Sequence, residues 1–199
     1  GMFVREKVIK AILDSGENFM SGEQLSKKLG ISRTAVWKHI NALREEGYNI
    51  ESVNKKGYRL AEKPDDILSS ENIAYNLPTE FIGKKVIHLD TVGSTNDYAK
   101  EIGNKVSGGT LIISEQQTKG KGRLGRVWKS KSGDGIWMSL IIKPKIEPYK
   151  APFLTLVAGA SVVKALSNLG VEASIKWPND IIVHNKKICG ILTELSAEM

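Results

Sequence analysis

The chain has 199 residues, 41% of them hydrophobic, with a formal charge of +7 and an isoelectric point near 9.4. That length supports one or two domains with a sizeable core, and the basic balance, shared as +4 over residues 1–63 and +3 over the rest, favours polyanionic partners. Cys189 stands alone, which excludes an intrachain disulfide and suits a reducing compartment; the start has no apolar signal stretch and no segment approaches ~20 apolar residues, so the expectation is a cytoplasmic protein without a membrane partner.

Phe3, Val4, Val8, Ile9, Ile12 and Leu13 repeat at helical spacing and stop at Asp14-Ser15-Gly16. Ser21 and Gln24 form an S-x-x-Q capping box for a second helix that Gly30 closes. A third helix runs from Ser32 to Gly47 with Val36, Ile40 and Leu43 as its core stripe, which leaves Thr34, Trp37, Lys38 and Asn41 on another face. Tyr48–Val53, a basic tip at Lys55 and Lys56, and Tyr58–Leu60 read as a hairpin. Helices joined by a short turn and followed by a β-ribbon resemble a winged helix-turn-helix DNA-binding domain over residues 1–63, with Ser32, Arg33, Thr34, Trp37, Lys38, Asn41, Lys55 and Lys56 as candidate DNA contacts. A three-helix interaction module is the alternative.

Residues 61–66 suit a linker, and Ser69 caps a helix through about Asn76 that Pro78 stops. Residues 85–90 predict a strand leading into Thr91-Val92-Gly93-Ser94-Thr95-Asn96, where a helix begins, and residues 110–114 predict another strand. Next comes Ser114 to Lys131, a loop with three glycines and six basic residues; glycine lets backbone N–H groups turn toward an anion, and Lys119, Lys121, Arg123 and Arg126 add charged donors. Gly120, Gly122 and Gly125 satisfy G-x-G-x-x-G, yet a strand-like run, Ile136 to Ile142, follows instead of the helix a dinucleotide fold needs. The kinase partner motifs and the Gly-Lys-Ser/Thr ending of a P-loop are missing too. Residues 151–169 predict a mostly buried helix ended by Gly170.

Lys176-Trp177-Pro178-Asn179-Asp180, the run Ile181–Val183, a turn at Asn185-Lys186-Lys187 and Ile188–Leu195 predict a strand, a proline turn and a hairpin that gather Lys176, Asn179, Asp180 and Lys187. Cations beside a carboxylate suit an ATP site with Mg²⁺, and a plain Asp180–Lys176 pair is the bland alternative. His39, His88 and His184 fall in no motif, and no metal-ligand spacing is seen.

The glycine-basic loop, Lys-Trp-Pro-Asn-Asp, the Ser-Thr-Asn helix start and the Lys-x-x-Gly-Ile-Leu strand stand in the order of biotin protein ligases, and with the winged helix the chain resembles their bifunctional class, which also represses biotin genes. The resemblance implies an α+β protein: a winged helix-turn-helix domain, then residues 64–199 as the N-terminal portion of a mixed-sheet ligase domain, truncated before further strands and a small β-barrel. It implies formation of biotinyl-5′-AMP from biotin and ATP, transfer to a lysine of a biotin carboxyl carrier domain, operator DNA as a second partner, and a homodimer. It assigns biotin to Ser94, Thr95, Asn96, Gln117, Gly120, Lys121, Gly122, Arg123, Lys187 and Gly190. The adenylate falls to Arg123, Arg126, Trp128, Asn179 and Lys187, and catalysis to Arg123, Lys176, Asn179, Asp180 and Lys187. Lys121 replaces a usual arginine and Leu124 a frequently basic residue, which leaves fewer bidentate phosphate contacts. A biotin-sensing regulator without catalysis and a lipoate or related acyl ligase are the alternatives.

Overall fold

A computed structural model of the chain describes residues 4–62, 68–75 and 77–196. Phe3, most of the expected linker and Asn76 lie outside the described residues. The chain divides into two compact units, Gly1–His88 and Leu89–Met199.

In the first unit, α1 (Val4–Asp14), α2 (Gly22–Leu29) and α3 (Arg33–Glu45) enclose one core. Val8, Ile9 and Ile12 of α1 meet Leu25 of α2 and Val36, Ile40 and Leu43 of α3, all buried. Each such side chain contributes about 1.5–3 kcal/mol on leaving water. The expected capping box is present: Gln24 N donates to Ser21 Oγ at 3.1 Å, and Ser21 N donates to Gln24 Oε1 at 2.7 Å. Ser32 caps α3 by accepting from Ala35 N at 3.1 Å. Strands β1 (Ile50–Val53) and β2 (Gly57–Leu60) pair antiparallel, Ile50 opposite Leu60 and Val53 opposite Gly57. Tyr58 and Met20 exchange backbone hydrogen bonds of 2.8 Å, which ties this ribbon to the residue before the α2 N-cap. Gly57 permits that approach: at φ +113° a side chain is strained, and a Cβ would collide with the Met20 backbone. A short α4 (Ser70–Ala74) starts under its Ser69 cap, and the Tyr75 hydroxyl donates to the Leu13 carbonyl at 3.1 Å.

The second unit holds two three-stranded sheets. The first has the order β3-β4-β5 (Val86–Val92, Leu111–Gln117, Trp137–Leu140), with the first three residues of β3 falling before the division and β4 antiparallel to β5. Helix α5 (Thr95–Ile102) packs on β4 and β5. The second sheet is an antiparallel meander of β6 (Ser174–Lys176), β7 (Asp180–Val183) and β8 (Lys186–Gly190). Its last turn sits earlier than expected. His184 and Asn185 carry the positive φ angles, while Lys186 and Lys187 already pair with Val183 and Ile182; asparagine tolerates the left-handed region, so two residues suffice for the reversal.

Helix α6 (Ala151–Asn168) departs from expectation in two ways. Only Ala151 and Gly159 are buried, whereas Phe153 and Val157 are 64% and 60% exposed. The strands it packs against are β6 and β7, with Gly159 facing Ile175, Ile181 and Ile191, so one narrow stripe is covered. Moreover, Pro148–Asn168 is long and apolar enough, at a mean hydropathy of 1.2, to cross a membrane by length and composition, which corrects the expectation that no segment comes near that length. Its seat on β6 and β7 is that of a helix layered on a sheet.

Candidate functional site

The glycine loop is a narrow ribbon. Bridges pair Gln117 with Ser130 and Lys121 with Val127, Gly122 N donates to the Arg126 carbonyl at 2.7 Å, and Trp128 N donates to the Gly120 carbonyl at 2.8 Å. A 3₁₀ turn at Arg123–Gly125 forms its tip, with Leu124 and Arg126 exposed; no α-helix opens here, as the sequence led one to expect. Gly120 is where the ribbon is tightest, for a Cβ would strike the Trp128 carbonyl oxygen and lie 2.8 Å from Ser130 Oγ. Thr118 N and Lys119 N donate to the carbonyls of Val92 and Gly93 at 2.9 and 2.7 Å, so the loop's root is pinned beside the start of α5.

At that start lies a polar knot. Ser94 and Thr95 are only 3% and 4% exposed. Thr95 N and Oγ1 both donate to Gln117 Oε1, at 2.9 and 3.1 Å, and Gln117 Nε2 donates to Ser130 Oγ at 2.9 Å. One of the orphan N–H groups of the helix terminus is thus met by a side chain from β4. Ser139 of β5 donates toward Thr95 Oγ1 (2.8 Å) and Asn96 Oδ1 (2.5 Å). Asn96 Nδ2 reaches the Leu192 carbonyl (3.1 Å) and Glu194 Oε2 (2.9 Å). Burial pulls the Glu194 carboxyl up, but its hydrogen bonds from Lys100 and Asn96 prevail and its pKa is lowered from 4.5. Lys121 donates to both Asp97 carboxylate oxygens, at 2.9 and 2.6 Å, and that bond raises its pKa.

The loop tip meets the second sheet. Arg123 Nη1 donates to Asn179 Oδ1 at 3.2 Å, and Asn179 Nδ2 donates to the Ile191 carbonyl at 3.1 Å. Asp180 Oδ1 is buried without a hydrogen bond of full geometry; its partner is the Lys187 ammonium at 2.7 Å. That ammonium also lies 4.9 Å from the Trp128 ring centroid, a cation–π distance. Gly190 faces the same pair, with Trp128 and Lys187 atoms 3.1 and 3.2 Å from where a Cβ would stand. Lys176 is opposite Asp180 in register but exposed, and Asp180 turns to Lys187 instead. The fold therefore joins Thr95 with Gln117, Arg123 with Asn179, and Lys187 with Asp180 and Trp128, while Arg126 and Lys176 stay at the surface. Ser130, Ser139, Asp97 and Glu194 escaped sequence reasoning; a serine at the buried phase of an otherwise apolar strand, as at Ser139, is the signal that marks such a residue.

On the first unit, Ser32, Arg33, Thr34, Trp37 and Lys38 are exposed along α3, Trp37 at 54%, and Asn41 is half-buried. Lys55 takes φ 64° at the exposed ribbon tip, and Lys56 and Arg59 lie 5.8 and 4.5 Å from the Phe19 ring. Arg44, which sequence reasoning passed over, ties α3 to the ribbon: Nε donates to the Ile50 carbonyl (2.8 Å), Nη2 to Ser52 Oγ (2.5 Å) and Nη1 to Asn41 Oδ1 (3.3 Å).

Residues 89–198 match the profile of the Biotin/lipoate A/B protein ligase family, and residues 4–59 that of a helix-turn-helix domain. Over 197 residues the chain is 47% identical to the bifunctional ligase/repressor BirA of Bacillus spizizenii, covering 98% of this chain and 60% of that protein. Against the Escherichia coli protein of the same description the identity is 38%, covering 94% and 57%. Among solved structures, biotin protein ligase from Aquifex aeolicus in complex with biotin and ATP is similar at a TM-score of 0.52 and 43% identity, covering 57% of this chain and 47% of that one. The chain thus spans about 60% of the length of the curated relatives it matches.

Proposed function

The chain belongs to the biotin/lipoate A/B protein ligase family and carries an N-terminal helix-turn-helix domain, and from this we propose that it is a biotin protein ligase that also binds operator DNA as a repressor. In this reading residues 1–63 bind DNA and residues 64–199 form the N-terminal portion of the ligase domain. The biotin carboxylate attacks the α-phosphorus of ATP; a P–O bond breaks, pyrophosphate leaves and biotinyl-5′-AMP forms. A carrier-domain lysine then attacks the acyl carbon and AMP departs. A carboxylate is already ionised at neutral pH, so the first step asks for positioning and charge neutralisation rather than a base.

The observation that carries the reading is the meeting of three distant segments: buried Thr95 with half-buried Gln117 at the root of the loop, Arg123 on Asn179, and Lys187 on Asp180. Ser94, Thr95 and Gln117 offer hydroxyl and amide groups suited to a ureido ring. Arg123, Arg126 and Lys187 supply positive charge for the phosphate, with Trp128 ordering the loop over it. A Mg²⁺ ion fits as a passenger on the nucleotide phosphates, because a small octahedral ion that keeps its waters needs few protein oxygens and this corner offers one carboxylate, Asp180; when bound it would neutralise phosphate charge. Incubation with biotin, MgATP and a carrier domain, followed by intact mass of the carrier, tests the proposal. A gain of one biotin is expected. An unmodified carrier with biotin bound to the chain would instead support a sensing regulator, and a gain of lipoate in a parallel incubation with lipoate in place of biotin would support the acyl-ligase alternative.

On DNA we place the protein as a pair of copies reading two half-sites, as helix-turn-helix repressors commonly do.

A further inference from the structure

Asp97, to which the proposed reaction assigns no task, joins the glycine loop to α5. It stands in the first turn of that helix, and Lys121 donates to both of its carboxylate oxygens, at 2.9 and 2.6 Å. Lys100 also lies 4.0 Å from Asp97 but makes its short contact, 2.5 Å, with Glu194. Lys121 thereby spends two of its three N–H donors on the protein, although the resemblance assigns this residue to biotin. The helix start has its own cap, since Ser94 Oγ accepts from the backbone N–H of Asp97.

The position of Lys121 gives the ion pair its consequence. It lies between Gly120 and Gly122, and glycine loses more backbone freedom on ordering than any other residue. The ribbon has few bonds of its own, and a two-stranded ribbon is marginal in water unless it packs on something. Thr118 N and Lys119 N pin its root, and Arg123 and Trp128 meet the second sheet; Lys121 is the fixed point between them. We propose that Asp97 is a positioning residue for biotin: through Lys121 it holds the loop as a ribbon against α5, so that the ligand meets a lid already ordered. The role of the loop as a lid over biotin rests on the ligase reading above, whereas the ordering of the loop does not. Both partners are about half-exposed, so the expected effects are about two- to fivefold.

Hydrogen exchange of the full chain without added ligands tests the anchor at the amides of Gly122 and Trp128, which donate within the ribbon. Asp97→Asn keeps the backbone cap and removes the charge. It is expected to speed exchange at both amides by that factor, while Ile112 and Ile113 inside β4 keep the parent rate. Lys121→Gln is expected to match it and the double variant to be no faster than either, whereas a role of the Asp97 charge in α5 alone would make the two effects multiply. Asp97→Glu, which restores a carboxylate, is expected to exchange as the parent does. With MgATP, Asp97→Asn is expected to raise the KM for biotin in pyrophosphate release by the same factor at unchanged kcat. Unchanged exchange in Asp97→Asn, effects that multiply, or a loosened loop with the parent KM would each overturn the proposal and leave the ligase reading intact. A parent that releases no pyrophosphate would overturn the ligase reading and the biotin role of Asp97 with it, whatever the exchange rates.

Discussion

Arg123 reaches across the ribbon tip to Asn179, and with Trp128 against Lys187 it links the loop to the second sheet. A hydrogen bond to a charged group is worth about 1.5–3 kcal/mol, or roughly 10–100-fold in a rate of escape. Arg123→Gly is therefore expected to speed biotinyl-5′-AMP release by about that factor, measured by stopped-flow chase, with the fold intact. Glu194 makes a pH-dependent contribution. Its folded pKa is lowered, so its bonds to Lys100 and Asn96 stabilise fully above its ordinary value of 4.5 and are lost as pH falls through the lower folded value. Glu194→Gln is expected to cost about 1 kcal/mol at neutral pH and to flatten the decline in melting temperature below pH 4.5. As candidates, Thr95, Gln117, Arg123, Asn179 and Lys187 could be picked from the sequence because their motifs fall at a helix start, strand ends and loops, where a fold exposes chemistry. Ser130, Ser139 and Arg44 could not. Their roles depend on which residue stands across a strand or against a helix, and Ser139 meets Thr95 from 44 positions away.

At the scale of elements, local signals served where the controlling interaction is local. The α2 box spans four residues, and both of its hydrogen bonds form as Ser21 and Gln24 alone dictate. Ser21→Ala should remove about 1 kcal/mol and lower the melting temperature of the first unit by roughly 4–8 °C, followed by circular dichroism. Helix α6 shows the opposite case. Apolar residues all round a helix point to burial on every side, but burial depends on what surrounds the helix, and β6 and β7 cover only the Gly159 stripe. The β7–β8 turn slipped for a related reason: a run of Asn-Lys-Lys marks a reversal, while strand pairing decides that His184 and Asn185 make it.

For the molecule as a whole, two compact units carry two chemistries, a basic helix-and-ribbon face in one and a converging glycine loop in the other. The membership of each in its family rests on separate matched spans, residues 4–59 and 89–198. The central claim is that the second unit forms an adenylate on biotin, and pyrophosphate release is its most direct readout. With biotin and MgATP the full chain should release one pyrophosphate per site in a rapid first turnover, and lipoate in place of biotin should release none. Release with lipoate but not biotin, or none with either while biotin still binds, would contradict the account.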